Sequence, residues 1–181
     1  KNKKFKLITV ERYAEKKKGY DLVPGILKNL IKFKINFEWI IIGKKTSKLL
    51  DDPFIRNNKK YFKILDNLYI KKEKYFPNDK IIKEYLGSNL YVNLSRIESF
   101  GITFVEALSA NIPVITFNTK GANEIIINNY NGFIVQNNDN KIFCRKIKKI
   151  YQDKNFFKKY PFQSSKKYDL ETLKKKFLKI Y

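Results

Sequence analysis

The segment that decides the fold reads Glu98-Ser-Phe-Gly-Ile-Thr-Phe-Val-Glu106. It carries a carboxylate at each end and one glycine, Gly101, between them. The apolar run at 89–94 predicts a strand before the segment, and apolar residues at helical spacing predict a helix over 102–110. A strand that turns into a helix at a glycine is typical of α/β proteins.

The same alternation extends through the chain in both directions. Strands are predicted at 6–10, 37–42, 61–65, 67–70, 89–94, 113–117 and 133–135. Helices are predicted at 22–33 with Asp21 as the cap, 79–86 with Asn78 as the cap, 102–110, 121–127, from 139 onward and 170–180, and a short helix or loop at 52–58. Alternating strands and helices with short connections predict an α/β fold with a mostly parallel sheet.

Composition removes several kinds of chemistry. The chain of 181 residues has no histidine and one cysteine, Cys144. Histidine metal sites and Ser-His-Asp or Cys-His nucleophiles are therefore excluded, and no aspartate cluster has calcium-loop spacing. Any metal would therefore have to be bound by oxygen ligands. No apolar run approaches the ~20 residues that span a bilayer, and no signal peptide is visible, which favours the cytoplasm.

The net charge of +22 has three explanations. A general compositional bias towards lysine carries the most weight, because lysine occurs in every segment. Attraction to the anionic inner face of a membrane comes second, and nucleic acid third. We therefore keep a peripheral membrane contact among the expected partners and leave nucleic acid out, although a basic binding module for either remains the alternative function.

Three features lie just after predicted strands, at the carboxyl ends where ligands bind in parallel sheets. They are Arg12 with its lysine-rich loop, Gly43, and the 98–106 segment. Gly101 allows close backbone approach, and the N–H groups of residues 102–104 would form an anion site at the helix start. A simple turn glycine is the competing interpretation.

The charged side chains also have two interpretations each. Glu106 is suited to accept hydrogen bonds from a vicinal diol, or it is a solvated helix residue. Glu98 is placed to orient a hydroxylated substrate, or it is a helix-dipole partner. Arg12 and Lys18 suit phosphate, but 39 lysines and arginines make ordinary surface charges a strong alternative.

The order of these motifs resembles the donor-binding domain of retaining family 4 glycosyltransferases, which have the two-domain GT-B fold. The matching positions are Ser95, Glu98, Phe100-Gly101, Glu106 to Ala110, Pro113 to Ile115, Gly121 with Glu124, and Asn131-Gly132. Upstream, Arg12 and Lys18-Gly19 look like the family's Arg and Lys-Gly pair, with Lys17 as a rival for Lys18. The resemblance implies a Rossmann-like three-layer sandwich, one half of a GT-B fold.

The resemblance also implies roles. Arg12 and Lys18 would bind the donor diphosphate and, with Glu98 at the sugar, form the catalytic set. Backbone groups of Phe100, Gly101, Ile102 and Thr103 would contact sugar and phosphate, Glu106 the ribose, and Gly43 would line the donor site. The resemblance further implies that no metal and no cofactor is needed, since the nucleotide-sugar is a substrate.

The resemblance implies a hexosyltransferase that takes a UDP- or GDP-sugar and transfers the sugar, with retention, to a glycan or lipid-linked acceptor. The acceptor domain of such enzymes precedes the donor domain. Residues 1–181 begin one strand before Arg12 and contain no methionine, so we expect this chain to be the donor-binding half and inactive in isolation. A non-catalytic family member that acts as a partner subunit is a further alternative.

Overall fold

The computed structural model describes residues 4–66, 79–136 and 139–153. The strands are β1 (Phe5–Val10), β2 (Phe37–Gly43), β3 (Phe62–Asp66), β4 (Leu90–Asn93), β5 (Val114–Phe117) and β6 (Gly132–Val135). The α-helices are α1 (Val23–Lys32), α2 (Pro53–Asn57), α3 (Asp79–Leu86), α4 (Ile102–Ser109), α5 (Lys120–Ile125) and α6 (Asn140–Gln152). Short 3-10 turns occupy Tyr20–Leu22, Thr46–Asp51 and Lys59–Tyr61.

The six strands form one sheet in the order β3-β2-β1-β4-β5-β6. All the pairings are parallel, so the described sheet is more regular than the mostly parallel one expected from sequence. The chain progresses outward from β1 to β3, then returns to the other side of β1 with β4. Crossover connections on opposite faces therefore separate just beyond the carboxyl ends of β1 and β4, which is where ligands bind in this topology.

Helices cover both faces of the sheet and produce three layers. One core joins α1 and α6 to the sheet, and the other joins α3, α4 and α5 to the opposite face. Along β2, Trp39 and Ile41 belong to the first core, whereas Ile40 and Ile42 belong to the second. This alternation explains the continuous apolar sequence of β2, because a central parallel strand is buried on both faces.

The core contains one polar chain across three neighbouring strands. Trp39 donates from Nε1 to Thr9 Oγ1 at 3.0 Å, and Thr9 Oγ1 donates to the Val92 carbonyl at 2.6 Å. Both side chains are buried, so these bonds satisfy groups that would otherwise cost free energy. They tie β2, β1 and β4 together beneath the carboxyl edge of the sheet.

Most predicted elements are present with ends shifted by one or two residues. The predicted cap of the first helix is wrong: α1 begins after Leu22, which makes no side-chain cap bond, and the Asp21 carboxylate instead accepts from Arg96. The predicted strand at 67–70, the cap Asn78 and the helix at 170–180 lie outside the described residues. No helix in the described ranges combines the length and apolarity that a membrane crossing requires.

Candidate functional site at the carboxyl ends of β1 and β4

A cleft of about 280 Å³ opens where β1 and β4 end. It is lined by Glu11, Arg12, Lys17, Lys18, Ile97, Glu98 and Ser99. These residues come from the loop after β1 and the loop after β4, the two chain segments that separate at this point of the sheet. The structure therefore brings Arg12, Lys18 and Glu98 into one cleft, as the sequence predicted for strand-end residues.

Lys18 lies between two carboxylates. Its Nζ is 2.8 Å from Glu98 Oε2 and 2.8 Å from Glu11 Oε2. The three side chains are 13%, 14% and 10% exposed, respectively. An ammonium has three hydrogens, so two are committed to carboxylates and one remains for a further acceptor.

Glu11 is itself oriented from the sheet. Its second oxygen, Oε1, accepts from Asn93 Nδ2 at 3.2 Å. Asn93 is fully buried at the end of β4, and its Oδ1 accepts from the Ser95 N–H at 2.9 Å and from Thr116 Oγ1 at 3.4 Å. A chain of hydrogen bonds thus runs from β5 through β4 and β1 to Lys18.

The environment shifts the pKa values of this cluster. Burial raises the pKa of Glu11, and the hydrogen bond and charge of Lys18 offset only part of that effect. Burial acts to lower the pKa of Lys18, but its bonds to Glu11 and Glu98 outweigh burial and leave the pKa raised. The ion pairs therefore favour the charged form of Lys18, whereas burial disfavours the ionised form of Glu11.

The loop that carries Lys18 is fastened to the loop after β4. Arg96 makes two hydrogen bonds of 2.7 Å to the Asp21 carboxylate, and its N–H donates to the Lys17 carbonyl at 3.0 Å. Gly19, at φ 70°, packs so closely on this loop that an added Cβ would lie 2.0 Å from the Leu94 carbonyl oxygen. The position of Lys18 relative to Glu98 is thus set by backbone contact as well as by charge.

Gly101 forms the turn into α4. It is the residue that precedes the helix and has φ 80°, a conformation that favours glycine. One prediction here is wrong: the Phe104 N–H is not available to a ligand, because it donates to the Gly101 carbonyl at 2.9 Å. The backbone groups of Ile102 and Thr103 remain as the candidate anion contacts at the start of α4.

Glu106 lies in the second turn of α4 and is half-buried. Its Oε2 accepts from the Tyr85 hydroxyl of α3 at 2.8 Å. Burial raises the pKa of Glu106, and the bond from Tyr85 opposes that rise. The carboxylate is held by a neutral partner and keeps acceptor capacity for further hydroxyl groups.

The remaining predicted residues are placed as follows. Arg12 is exposed in the cleft, and none of the ion pairs among the described residues involves its guanidinium. Lys17 is exposed, and Lys18 rather than Lys17 contacts Glu98. Gly43 ends β2 against the Glu11 carbonyl, and Phe100 is exposed before α4; neither lines the cleft.

Four site residues were missed at the level of sequence: Glu11, Asn93, Arg96 and Tyr85. Glu11 adjoins Arg12 at the end of β1, and this strand-end position was the one available signal. In the described part of the chain, no group of three or more Cys, Asp or Glu side chains is arranged to hold a metal ion.

Comparison with known proteins defines the class. The model of the family Glycosyl transferases group 1 matches residues 1–166. The chain belongs to this family. The fold agrees, because the chain superimposes on about a third to a half of each of several GT-B glycosyltransferase structures.

Among curated proteins, the capsular polysaccharide biosynthesis glycosyltransferase CapM of Staphylococcus aureus is 27% identical over 162 residues, covering 85% of this chain and 38% of CapM. The alpha-monoglucosyldiacylglycerol synthase of Acholeplasma laidlawii is 33% identical over 114 residues, covering 63% of this chain and 27% of the synthase. Anabaena HepE, solved in complex with UDP-glucose, superimposes with a TM-score of 0.76 at 18% identity over 98% of this chain and 48% of HepE. The chain thus spans well under half the length of these curated relatives.

Proposed function

We propose that this chain is the donor-binding part of a retaining glycosyltransferase that uses a UDP-sugar. The observation that carries the proposal is the Lys18 ammonium, fixed 2.8 Å from Glu98 at the point where β1 and β4 diverge. A cation and a carboxylate side by side suit the two halves of a sugar nucleotide, because the cation attracts phosphate and the carboxylate accepts from sugar hydroxyls.

The proposed roles follow the chemistry of each group. Lys18 and the exposed Arg12 bind the diphosphate and stabilise the charge that develops on the leaving nucleotide. Glu98 contacts the sugar at the reacting carbon. Backbone groups from Phe100 to Thr103 contact sugar hydroxyls and phosphate.

Glu106 binds the ribose. A half-buried carboxylate whose hydrogen-bond partner among the described residues is the neutral hydroxyl of Tyr85 suits a vicinal diol, which donates two hydrogen bonds. Gly43 allows the end of β2 to lie close to the end of β1. We expect this packing to leave the surface at Arg12 open to the diphosphate. The positive groups take over the neutralising part that a metal ion plays in other phosphate sites, and a metal-independent reaction stays our prediction.

UDP is the first choice of nucleotide because HepE and the pneumococcal enzyme GtfA were both solved with UDP. The acceptor is expected to be a glycan or a lipid-linked sugar, since CapM acts in capsular polysaccharide synthesis and another relative makes a glycolipid. Acceptor binding would belong to a preceding domain that matches the rest of these longer relatives. A cytoplasmic location, with the basic surface near the inner membrane face, stays a prediction.

The test is calorimetric titration of UDP, GDP and ADP into this chain, followed by Lys18→Met. We expect UDP to bind, and Lys18→Met to weaken it about thirtyfold, since a charge-assisted contact contributes roughly 2 kcal/mol. Lys17→Met is the matched control, because it removes an adjacent, exposed lysine and is expected to change UDP affinity less than threefold by screening alone. No binding of any nucleotide, or equal effects of the two substitutions, would contradict the proposal.

A further inference from the structure

Glu11 is the third charged member of the cluster that it forms with Lys18 and Glu98. It is not adjacent to Lys18 or Glu98 in sequence, yet its carboxylate lies as close to Lys18 Nζ as that of Glu98 does, at 2.8 Å. Its side chain is the least exposed of the three. Burying a carboxylate costs free energy unless it is hydrogen-bonded, so the two hydrogen bonds of Glu11 indicate what this side chain does.

We propose that Glu11 is a positioning residue of the diphosphate site, which together with Asn93 fixes the direction of the one N–H of Lys18 that remains for phosphate. This inference rests on the proposed function, because it assumes that Lys18 meets the donor. Two bonds at 2.8 Å determine two corners of the tetrahedral ammonium, and the third N–H direction follows from them. With Glu98 alone, the ammonium could still rotate about one contact.

The position of Glu11 is in turn fixed by the sheet. Asn93 donates to Glu11 Oε1, and its amide cannot turn over without losing the bond that Asn93 Oδ1 accepts from the Ser95 N–H. The Glu11 main chain is also held, since its carbonyl accepts from the Tyr20 hydroxyl at 2.7 Å. The flexible stem of Lys18 is therefore ordered by groups on β1 and β4, before any ligand arrives.

A carboxylate is required for this arrangement. Lys18 and Asn93 both donate to Glu11, one to each oxygen. Glutamine has the same shape but a single acceptor oxygen, so its NH₂ group would face one of the two donors. Glu11→Gln therefore tests the double acceptor with almost no change in volume.

The charge of Glu11 acts in the opposite direction, because a negative group near the diphosphate repels it. The two effects separate in a double-mutant cycle with Lys18→Met. In the wild-type background, we expect Glu11→Gln to weaken UDP binding about tenfold, the loss of one oriented charge-assisted contact. In the Lys18→Met background, only the repulsion remains, so Glu11→Gln is expected to leave UDP affinity unchanged or to raise it.

The control is Glu38→Gln. Glu38 is near the start of β2, at the opposite edge of the sheet, and pairs with Lys4 at 3.8 Å. It is expected to leave UDP affinity unchanged. Thermal unfolding checks each variant, and Glu11→Asp replaces Glu11→Gln if the glutamine variant does not fold: aspartate keeps the charge and both oxygens but is one methylene too short to reach Lys18 and Asn93 together.

The outcomes separate the two claims. If wild-type chain binds UDP and Lys18→Met weakens it, unchanged affinity in Glu11→Gln or Glu11→Asp overturns the positioning role alone. Equal weakening by Glu11→Gln in both backgrounds also overturns it, since a merely structural defect would act without Lys18. Failure of the wild type to bind UDP, or of Lys18→Met to matter, overturns the proposed function instead.

Discussion

The two ends of the segment 98–106 carry the same side chain in opposite surroundings. Glu98 is bonded to a cation, because Lys18 Nζ lies 2.8 Å from its Oε2. Glu106 is bonded to a neutral phenol, the Tyr85 hydroxyl, at 2.8 Å. Among the described residues, one carboxylate is therefore paired with a cation, and the other with a neutral hydroxyl.

The difference teaches what each end is built to receive. In the Lys18 cluster, two carboxylates accept from one ammonium, and the same ammonium can also donate to a phosphate. Glu106 keeps its negative charge in a half-buried place where burial raises its pKa. The charged carboxylate is a strong hydrogen-bond acceptor for neutral hydroxyl groups. Removing its charge should leave the free energy of unfolding unchanged or raise it.

The largest effect on this comparison is expected from Lys18→Met. The substitution leaves Glu11 and Glu98 mostly buried and without their shared cation, which we expect to cost about 3 kcal/mol of unfolding free energy at pH 7. Urea denaturation measures it. Because part of the cost comes from the ionised Glu11 carboxylate, whose pKa burial raises, the cost should shrink as the pH is lowered.

Lys17→Met is the control for stability as well, since Lys17 is exposed and makes no side-chain ion pair among those found in the described residues. It is expected to change the unfolding free energy by less than about 0.5 kcal/mol. A Lys18→Met loss that does not depend on pH would show that the lysine contributes by packing of its stem and not by pairing charges.

Gly101→Ala tests how much the turn between Glu98 and Glu106 contributes to stability. Alanine at φ 80° is strained, and its Cβ would lie 2.4 Å from the Phe104 ring. We expect a loss of about 2 kcal/mol in unfolding free energy, measured by urea denaturation. Gly25→Ala is the control: this glycine is inside α1, and the added Cβ would lie 3.6 Å from Asn140 Nδ2, so alanine should be neutral or stabilising there.

Glu106→Gln should separate binding from stability. UDP affinity is expected to fall about tenfold, because a neutral amide accepts less strongly from the ribose hydroxyls than a carboxylate. Stability should not fall. The pKa of Glu106 is raised in the folded protein above its ordinary 4.5, so the stability it contributes is present below pH 4.5 and lost as the pH rises through the folded value.

Replacing Glu106 by glutamine removes that loss, and we expect unfolding free energy at pH 7 to be unchanged or higher by up to about 1 kcal/mol. The matched ligand is 2′,3′-dideoxy-UDP, which lacks the diol and should bind the wild type and Glu106→Gln equally. A tenfold difference with that ligand too would refute the assignment of Glu106 to the ribose.

Sequence predicted the layered fold because its signals are local. The continuous apolar run of β2 indicated burial on both faces, and the glycine before α4 indicated a turn; the structure has both. The position of Arg12, Lys18 and Glu98 at one edge also followed, because the carboxyl ends of parallel strands share an edge of the sheet. Their roles in donor binding remain predictions.

The missed parts depend on contacts that are distant in the chain. Glu11 meets Asn93 across a separation of 82 residues, and Arg96 meets Asp21 across 75. Asp21 shows the limit clearly: a carboxylate just before a helix is a good cap on local grounds, yet here a guanidinium from another loop takes it. Strand order decides such pairs, and periodicity does not reveal it.

The smallest predicted effect concerns this Arg96–Asp21 pair, which links the loop of Lys18 to the loop of Glu98. Both side chains are about 30% exposed, so Arg96→Lys should cost no more than about 1 kcal/mol in unfolding free energy. Lysine loses the two-pronged contact to Asp21 while keeping the charge. If the link holds Lys18 beside Glu98, Arg96→Lys should lower UDP affinity about threefold, roughly 0.7 kcal/mol. In the Glu106→Gln background, Arg96→Lys should lower UDP affinity by the same factor. Effects that multiply, as expected, would mean that the two ends of the segment are held separately. A combined loss smaller than the product would contradict this and show that the two ends are coupled.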